Sequence, residues 1–117
     1  ENDYVLFRYA DVLMTKLEAL HRLGRASEIL DDPDLRKIRT RAGVASYIIS
    51  DITDTELLNE LGREFAWEGH RRQDMIRFGV WNNAWWNKPP SDPTDKLFPI
   101  PQQVMNANPN LVQNPGY

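Results

Sequence analysis

The sequence has 117 residues, of which 41% are apolar and 26% charged, with a formal net charge of −3 at pH 7. These values are typical of one globular domain, and a negative net charge gives no electrostatic reason to expect nucleic-acid binding. Cysteine is absent, which excludes disulfides and thiolate metal ligands. No apolar run approaches the roughly 20 residues of a membrane-spanning helix. The chain opens on Glu-Asn-Asp rather than on methionine, and we interpret it as a piece of a longer protein.

The first predicted element is an amphipathic helix over Tyr4–Leu23. Its apolar positions recur at spacings of three and four residues: Leu6, Tyr9, Ala10, Leu13, Leu17 and Leu20. Asp3 is the predicted N-cap, and Gly24 suits the position after the helix end, which favours a left-handed backbone. The wide apolar stripe predicts that this helix packs against neighbours.

A weaker helical region follows over Ala26–Ala42. Asp32-Pro33 interrupts it, because proline suits the first turn of a new helix better than the middle of one. Gly43 ends this region, so the sequence predicts a helical hairpin over residues 1–43. Val44–Ile52 follows as an extended loop, since no second run offers itself as a strand partner.

The third predicted element is a long central helix within residues 53–79, most clearly amphipathic over Glu60–Gly79. Thr53 and Glu56 form a capping box at its start. Leu57, Leu61 and Phe65 form an apolar ridge at a spacing of four residues. Gly62 and Gly69 lie inside the predicted helix, where glycine usually indicates that another segment packs closely. Trp67 is predicted to contact the core or the hairpin.

Carboxylates and histidines on this helix raise the question of catalysis. Glu64 and Glu68 share a helix face, as two acid–base groups would. Glu68 is spaced to pair with Arg71 and Arg72, so we predict ionised, paired carboxylates rather than a general acid. His21 and His70 are too isolated to predict a metal site. The sequence therefore predicts no enzyme activity, no catalytic residue, no metal and no cofactor.

Residues 80–117 predict an irregular, Pro/Trp-rich C-terminal tail. Seven of the eight prolines lie from Pro89 onward. A short helical turn is predicted near Gln102–Asn106, with Pro101 at its first position. A tail with so small a core of its own is expected to wrap on the helices, and the predicted anchors are Phe98, Ile100, Leu111 and Tyr117.

A polar-aromatic cluster near the start of this tail is the predicted ligand site. It contains Trp81, Asn83, Trp85 and Trp86. Sugars present flat C–H faces that stack on indole rings, and amides bond hydroxyl groups as both donor and acceptor. The alternative interpretation is that the tryptophans only pin an irregular loop to the helices.

Four sequence stretches, in order, resemble the C-terminal part of the SusD/RagB family. Arg8 to Asp11 and Glu18 to Leu20 match its R-Y-A-D-V-L…E-A-L pattern, and Ile38 to Gly43 matches I-R-x-R-A-G. The stretch EFAWEGHRRQDMIRFG resembles the family's E-(L/F)-A-F-E-G core. The ending LFPIPQQVMNANPNLVQNPGY carries F-P-I-P-Q and N-P-N-L-x-Q-N-P-G-Y. The resemblance covers nearly the whole chain.

The resemblance implies an all-α fold with a tetratricopeptide-like hairpin, and one domain over residues 1–117 that forms the C-terminal part of a longer protein. It also implies a surface-exposed lipoprotein of the outer membrane whose lipid anchor lies outside this chain. Such proteins bind oligosaccharides or polysaccharides without cleaving them. They pass the sugar to a SusC-like TonB-dependent transporter, and this chain would be mainly scaffold.

Two other functions remain open at this point. A tetratricopeptide-like module that binds a peptide or helix would need exposed apolar residues along a groove. A carbohydrate-active enzyme would need a cleft carboxyl group with a raised pKa. A glycan-binding protein would instead present exposed tryptophans.

Overall fold

The computed structural model describes residues 3–117, and these form an all-α fold, as predicted. The helices are α1 (Tyr9–Arg22), α2 (Ala26–Asp31), α3 (Pro33–Arg41), α4 (Asp54–Glu64), α5 (Arg71–Arg77) and α6 (Gln102–Ala107), with 3₁₀ turns at Ile49–Asp51 and Pro93–Lys96. Within the described residues, β-type pairing is confined to one isolated bridge. Glu1 and Asn2, with which the predicted hairpin begins, lie outside this range. No described helix is long and apolar enough to cross a membrane.

The chain divides into two compact units, of which the first ends at Asp74 and the second runs over Met75–Tyr117. In the first unit, α1 contacts both α2 and α3, which confirms the helical hairpin. Pro33 occupies the first turn of α3, and the Asp32 side chain caps that helix by accepting from the Asp34 and Leu35 amides. The predicted interruption therefore lies at the boundary between α2 and α3.

The start of α1 differs from the prediction. The helix begins at Tyr9 rather than Tyr4, and Arg8 rather than Asp3 is its N-cap. The Arg8 backbone is extended, and its amide donates to Asp11 Oδ2 at 2.7 Å. The helical pattern of residues 4–8 is overridden because side chains from this segment make tertiary bonds described below.

Apolar faces of α1 to α4 form the core of the first unit. Its buried side chains are Leu13, Met14, Leu17, Leu20, Ile29, Leu35, Ile38, Tyr47, Ile52, Leu57, Leu58, Leu61 and Phe65. The predicted ridge of Leu57, Leu61 and Phe65 is thus confirmed. The segment between α3 and α4 is mostly extended, as predicted, apart from its short 3₁₀ turn.

The single central helix predicted over Glu60–Gly79 is wrong. Helix α4 starts at the predicted Thr53 cap, whose hydroxyl accepts from the Glu56 amide, but it ends at Glu64. Helix α5 begins only at Arg71, and the junction between them contains left-handed backbone at Trp67 (φ 67°) and Gly69 (φ 81°). A left-handed residue cannot continue a right-handed helix, so the amphipathic pattern passes through a real break.

The second unit is mainly loop, with α6 as its one α-helix that lies wholly beyond α5 in the described chain. Pro101 is the N-cap of α6 rather than its first helical residue. Among the predicted anchors, Phe98 and Tyr117 are 70% and 53% exposed, whereas Ile100 and Leu111 are half-buried. That residues 80–117 wrap on the helices, and that residues 1–117 form one domain, stay predictions.

Candidate functional site

The loop over residues 80–92 carries all four predicted sugar-contacting residues. Trp85 and Lys88 exchange two backbone hydrogen bonds, of 3.0 and 2.8 Å, which close a tight turn. Trp86 lies in that turn with φ 40°, and its side chain is 93% exposed, while Trp85 is 49% exposed. Trp81 is half-buried, and its indole nitrogen donates to the Asp95 carbonyl at 3.3 Å. The structure thus exposes Trp85 and Trp86 and makes Trp81 an anchor of the loop.

Polar side chains hold this loop from within. The Asn82 amide donates to Ser91 Oγ at 3.1 Å and to the Asp92 carbonyl at 2.5 Å. Lys88 Nζ donates to the carbonyls of Asn83 and Pro89, each at 3.2 Å. Asn83 itself is exposed, two residues before Trp85. The loop therefore presents two neighbouring indoles and one amide on a backbone fixed by hydrogen bonds.

The junction between α4 and α5 is organised by Arg8, a residue that sequence reasoning did not single out as functional. Its guanidinium binds the Glu64 carboxylate at 2.6 Å and the Glu68 carboxylate at 2.8 Å, and it donates to the Glu64 carbonyl at 2.5 Å. It also lies 4.7 Å from the centre of the Phe65 ring. We call Arg8, Glu64, Phe65 and Glu68 the Arg8 cluster.

The Arg8 cluster fixes the charge state of its members. The hydrogen bond to Glu68 raises the pKa of Arg8, and the same bond holds the pKa of the Glu68 carboxyl below its ordinary value. Glu64 has a second cation, Arg41 Nη2, at 2.6 Å. The prediction of paired, ionised carboxylates is confirmed for Glu68, but its partner is Arg8 rather than Arg71 or Arg72, because the helix break moves Glu68 off their face.

A second arginine-centred group, the Arg39 cluster, joins α3 to α4 and the loop between them. Arg39 lies 4.0 Å from the centre of the Tyr47 ring and 3.3 Å from a Glu60 carboxylate oxygen. The Tyr47 hydroxyl donates to Glu60 Oε1 at 3.0 Å, and Arg63 lies 2.5 Å from Glu60 Oε2. Burial pushes the pKa of Glu60 up, but hydrogen bonds from Arg63 and Arg39 outweigh it and hold that pKa below its ordinary value. Burial and Glu60 raise the pKa of Tyr47.

Neither cluster has the character of a catalytic acid. A general acid needs a carboxyl whose pKa is raised, and the pKa values of Glu60 and Glu68 are lowered. Each histidine faces one aspartate: His21 Nε2 lies 2.9 Å from Asp54 Oδ1, and His70 Nε2 lies 3.7 Å from Asp11 Oδ1. Over residues 3–117 no group of three or more metal-ligating side chains is assembled. The arginine–carboxylate contacts of the two clusters are therefore structural ion pairs.

The prediction that Trp67 contacts the core or the hairpin is wrong. Its side chain is 100% exposed, because the helix ends before it and its backbone is left-handed. It lines an open groove of about 760 Å³, together with Asn59, Gly62, Arg63, Phe65, Ala66, Gly69, Arg71 and Arg72. Gly69, two residues after Trp67, was the sequence signal that a helix end lay here. Sequence reasoning placed that glycine inside the helix and so missed the groove.

The fold and these sites define an all-α helical-hairpin protein with tryptophans exposed on two loops. The model of the SusD family matches residues 1–89 and 81–117. The chain is 32% identical over 126 aligned positions to the starch-binding protein SusD of Bacteroides thetaiotaomicron, which covers 100% of this chain and 22% of that protein. It is 33% identical over 86 positions to the SusD-like protein P38 of Formosa agariphila, which covers 66% of this chain and 17% of that protein.

The chain therefore belongs to the SusD family, as the sequence motifs predicted. It spans about a fifth of the length of the curated relatives that it matches.

Proposed function

We propose that this protein binds oligosaccharides without cleaving them and delivers them to a SusC-like TonB-dependent transporter of the outer membrane. The observation that carries this proposal is the family match over the whole chain, which includes a relative named as starch-binding. The protein would act at the cell surface as a lipoprotein whose lipid anchor lies outside residues 1–117. Residues up to Asp74, with their buried core and two ion-pair clusters, would serve mainly as scaffold.

Within this chain, the sugar contact would lie on the loop over residues 80–92. Trp85 and Trp86 are adjacent, exposed and held on a closed turn, which suits stacking against the C–H face of a pyranose ring. Asn83 would supply an amide for sugar hydroxyls. Trp81 would support the loop through its bond to the Asp95 carbonyl, and not stack on sugar itself.

The lowered pKa values of Glu60 and Glu68 support binding without hydrolysis. Both carboxylates are engaged with arginines, so proton donation to a glycosidic oxygen is disfavoured. A site for binding alone needs exposed aromatic and amide groups, which the loop provides.

The test is calorimetric titration of the chain with a panel of neutral oligosaccharides, including starch-derived ones. The double variant Trp85→Ala/Trp86→Ala is compared with Phe7→Ala, a matched loss of an exposed aromatic (83% exposed) outside the loop. We expect the loop variant to lose at least about tenfold in affinity, or 1.4 kcal/mol, and Phe7→Ala to bind as the unmodified chain does. Sugar binding that persists in a folded loop variant would show that the sugar contact lies outside this loop.

A protein-interaction module without sugar binding is the second candidate, and one observation favours it. Apolar side chains from the start of the chain are exposed next to each other: Tyr4, Val5, Leu6, Phe7, Tyr9 and Val12, each more than half exposed. Contiguous exposed apolar groups commonly mark protein contacts. A chain that binds no sugar in the titration, while the paired variant Leu6→Asp/Phe7→Asp abolishes association with the transporter, would favour this function.

A further inference from the structure

The groove beside Trp67 is a second place where this chain presents an aromatic ring next to polar groups. It lies entirely within the first unit, between the C-terminal half of α4 and the start of α5. It is separate in sequence from the loop over residues 80–92. Its volume of about 760 Å³ lies within the usual range for small-molecule sites.

Arg71 is fixed in this groove. Its Nη1 atom donates to the Leu58 carbonyl at 2.6 Å. The guanidinium reaches that carbonyl by crossing α4 at Gly62, where an added β-carbon would lie 2.8 Å from Nη1. A glycine at this position is therefore required for the observed arginine conformation, and the guanidinium is held in place before any ligand arrives.

The charge of Arg71 is not balanced by an acid. Within residues 3–117 its one hydrogen bond is to the neutral Leu58 carbonyl, and it forms no ion pair. The described lining residues include three arginines and no carboxylate. Arg63 differs, because it is paired with Glu56 and Glu60, each at 2.5 Å. The groove therefore offers one fixed, uncompensated cation, which suits a monoanionic ligand.

Trp67 supplies an aromatic surface beside this cation. Its side chain is fully exposed, and its backbone is left-handed. That conformation costs a non-glycine residue about 1–2 kcal/mol. The turn that carries it is braced on its C-terminal side, because the Tyr4 hydroxyl donates to the Glu68 carbonyl at 2.8 Å. An exposed indole on a braced turn is ready to stack against a flat apolar face of a ligand.

We propose that this groove binds an acidic sugar unit, a hexuronate within an oligosaccharide, with its ring on Trp67 and its carboxylate on Arg71. Asn59, which also lines the groove, would bond the hydroxyl groups. The inference rests on the proposed function, since it assigns a second subsite and a charge class to the same glycan-binding activity.

The test is calorimetric titration with a short oligogalacturonate and with its methyl-esterified form, which has the same sugar ring without the charge. We expect the free acid to bind at least about tenfold more tightly than the ester, and added salt to reduce that difference. Arg71→Gln should lower affinity for the acid by about tenfold, the size of a lost hydrogen bond to a charged group. Trp67→Ala should lower it by about tenfold as well, because the stacking surface for the sugar ring is lost. Arg25→Gln and Phe7→Ala are the matched exposed controls, and both should bind normally.

Gly62→Ala gives an independent variant that leaves both contacting side chains in the sequence. It should weaken acid binding by displacing the Arg71 guanidinium, while circular dichroism shows an intact helical fold. Equal affinity for acid and ester, acid binding unaffected by Trp67→Ala, or self-association of the chain that Trp67→Ala removes would each overturn the inference. Neutral-sugar binding that is lost in the Trp85→Ala/Trp86→Ala variant would still support the proposed function in that case.

Discussion

The two compact units of this chain are each stabilised by a different kind of internal interaction. Up to Asp74, helices bury a continuous apolar core, and the Arg8 and Arg39 clusters join segments distant in sequence. From Met75 onward, Met75 is the one apolar side chain that is fully buried in the described part of the unit. The loops of this second unit are held instead by hydrogen bonds between side chains and backbone. Gln113, for example, bonds to the Ile100 amide and carbonyl at 2.8 and 2.9 Å.

This difference shows that apolar burial and hydrogen bonding contribute unequally to the stability of the two units. A fully buried aliphatic side chain contributes about 1.5–3 kcal/mol through the hydrophobic effect, whereas an intramolecular hydrogen bond contributes about 1 kcal/mol net. The first unit is therefore expected to unfold cooperatively. The second is expected to open locally, because each of its bonds fixes only its own loop.

The largest expected difference between the two units is in the stability lost when an apolar side chain is truncated. Leu35 is 0% exposed, and Leu35→Ala should lower the free energy of unfolding by about 3 kcal/mol, since it leaves a cavity among the helices. Val112, in the second unit, is 84% exposed, and Val112→Ala should change stability by less than about 0.5 kcal/mol. Urea denaturation followed by circular dichroism measures both. Equal losses would contradict the division between the units.

Breaking the Arg8 cluster should have the next largest effect. Arg8→Ala leaves the Glu64 carboxylate, which is 7% exposed, with Arg41 as its remaining cation, and should cost about 2 kcal/mol after allowance for the 26% exposure of Arg8. The matched control is Arg25→Ala, whose pair with Glu28 is on the surface and should matter little. If both variants have the same urea midpoint, the Arg8 cluster is not a stabilising element.

Gln113→Ala should act only within the second unit. It removes both bonds to Ile100 and a third from the Asn114 amide, so hydrogen exchange at the Ile100 amide should accelerate about tenfold, the equivalent of one lost hydrogen bond. Amides of α1 in the first unit should exchange as before. Gln103→Ala, on exposed α6, is the control. A uniform acceleration through the chain would show one cooperative unit instead.

The smallest expected effect is on the acid dependence of stability. Because Arg8 lowers the folded-state pKa of Glu68, this group stabilises the fold fully above its unfolded pKa of about 4.3. That contribution is lost as the pH falls through 4.3 towards the lower folded value. Glu68→Gln should therefore be less stable than the unmodified chain at pH 7 and should approach it near pH 3 in urea titrations. Parallel pH profiles of the two proteins would contradict this role of Glu68.

Features encoded by neighbouring residues could be predicted from the sequence. The Pro33 start of α3, the Thr53 cap and the Leu57–Phe65 ridge all depend on short-range chemistry, and all are confirmed. The family motifs likewise identified the family. The glycan role of Trp81, Asn83, Trp85 and Trp86 stays a prediction, although the structure separates the anchoring Trp81 from the exposed pair.

Features that depend on distant residues could not be predicted. The sequence prediction placed residues 65–70 inside one helix in spite of Gly69, and the tertiary bonds from Arg8 and Tyr4 account for the helix end there. The same bonds explain the late start of α1. The exposure of Trp67 follows from that break. A prediction of one continuous helix therefore placed this side chain on a packed face.

The wide sequence separation within the Arg8 cluster also has a consequence for folding rates. Arg8 bonds to residues 56 and 60 positions later, so we expect its contacts to form only once the long loop between them has been closed by the association of α1 with α4. Contacts that form late are absent from the transition state, and their loss mainly accelerates unfolding. Arg8→Ala should thus leave the refolding rate nearly unchanged in stopped-flow measurements and shorten the lifetime of the folded chain. A single arginine at the start of the first helix would then govern how long the fold persists rather than how fast it forms.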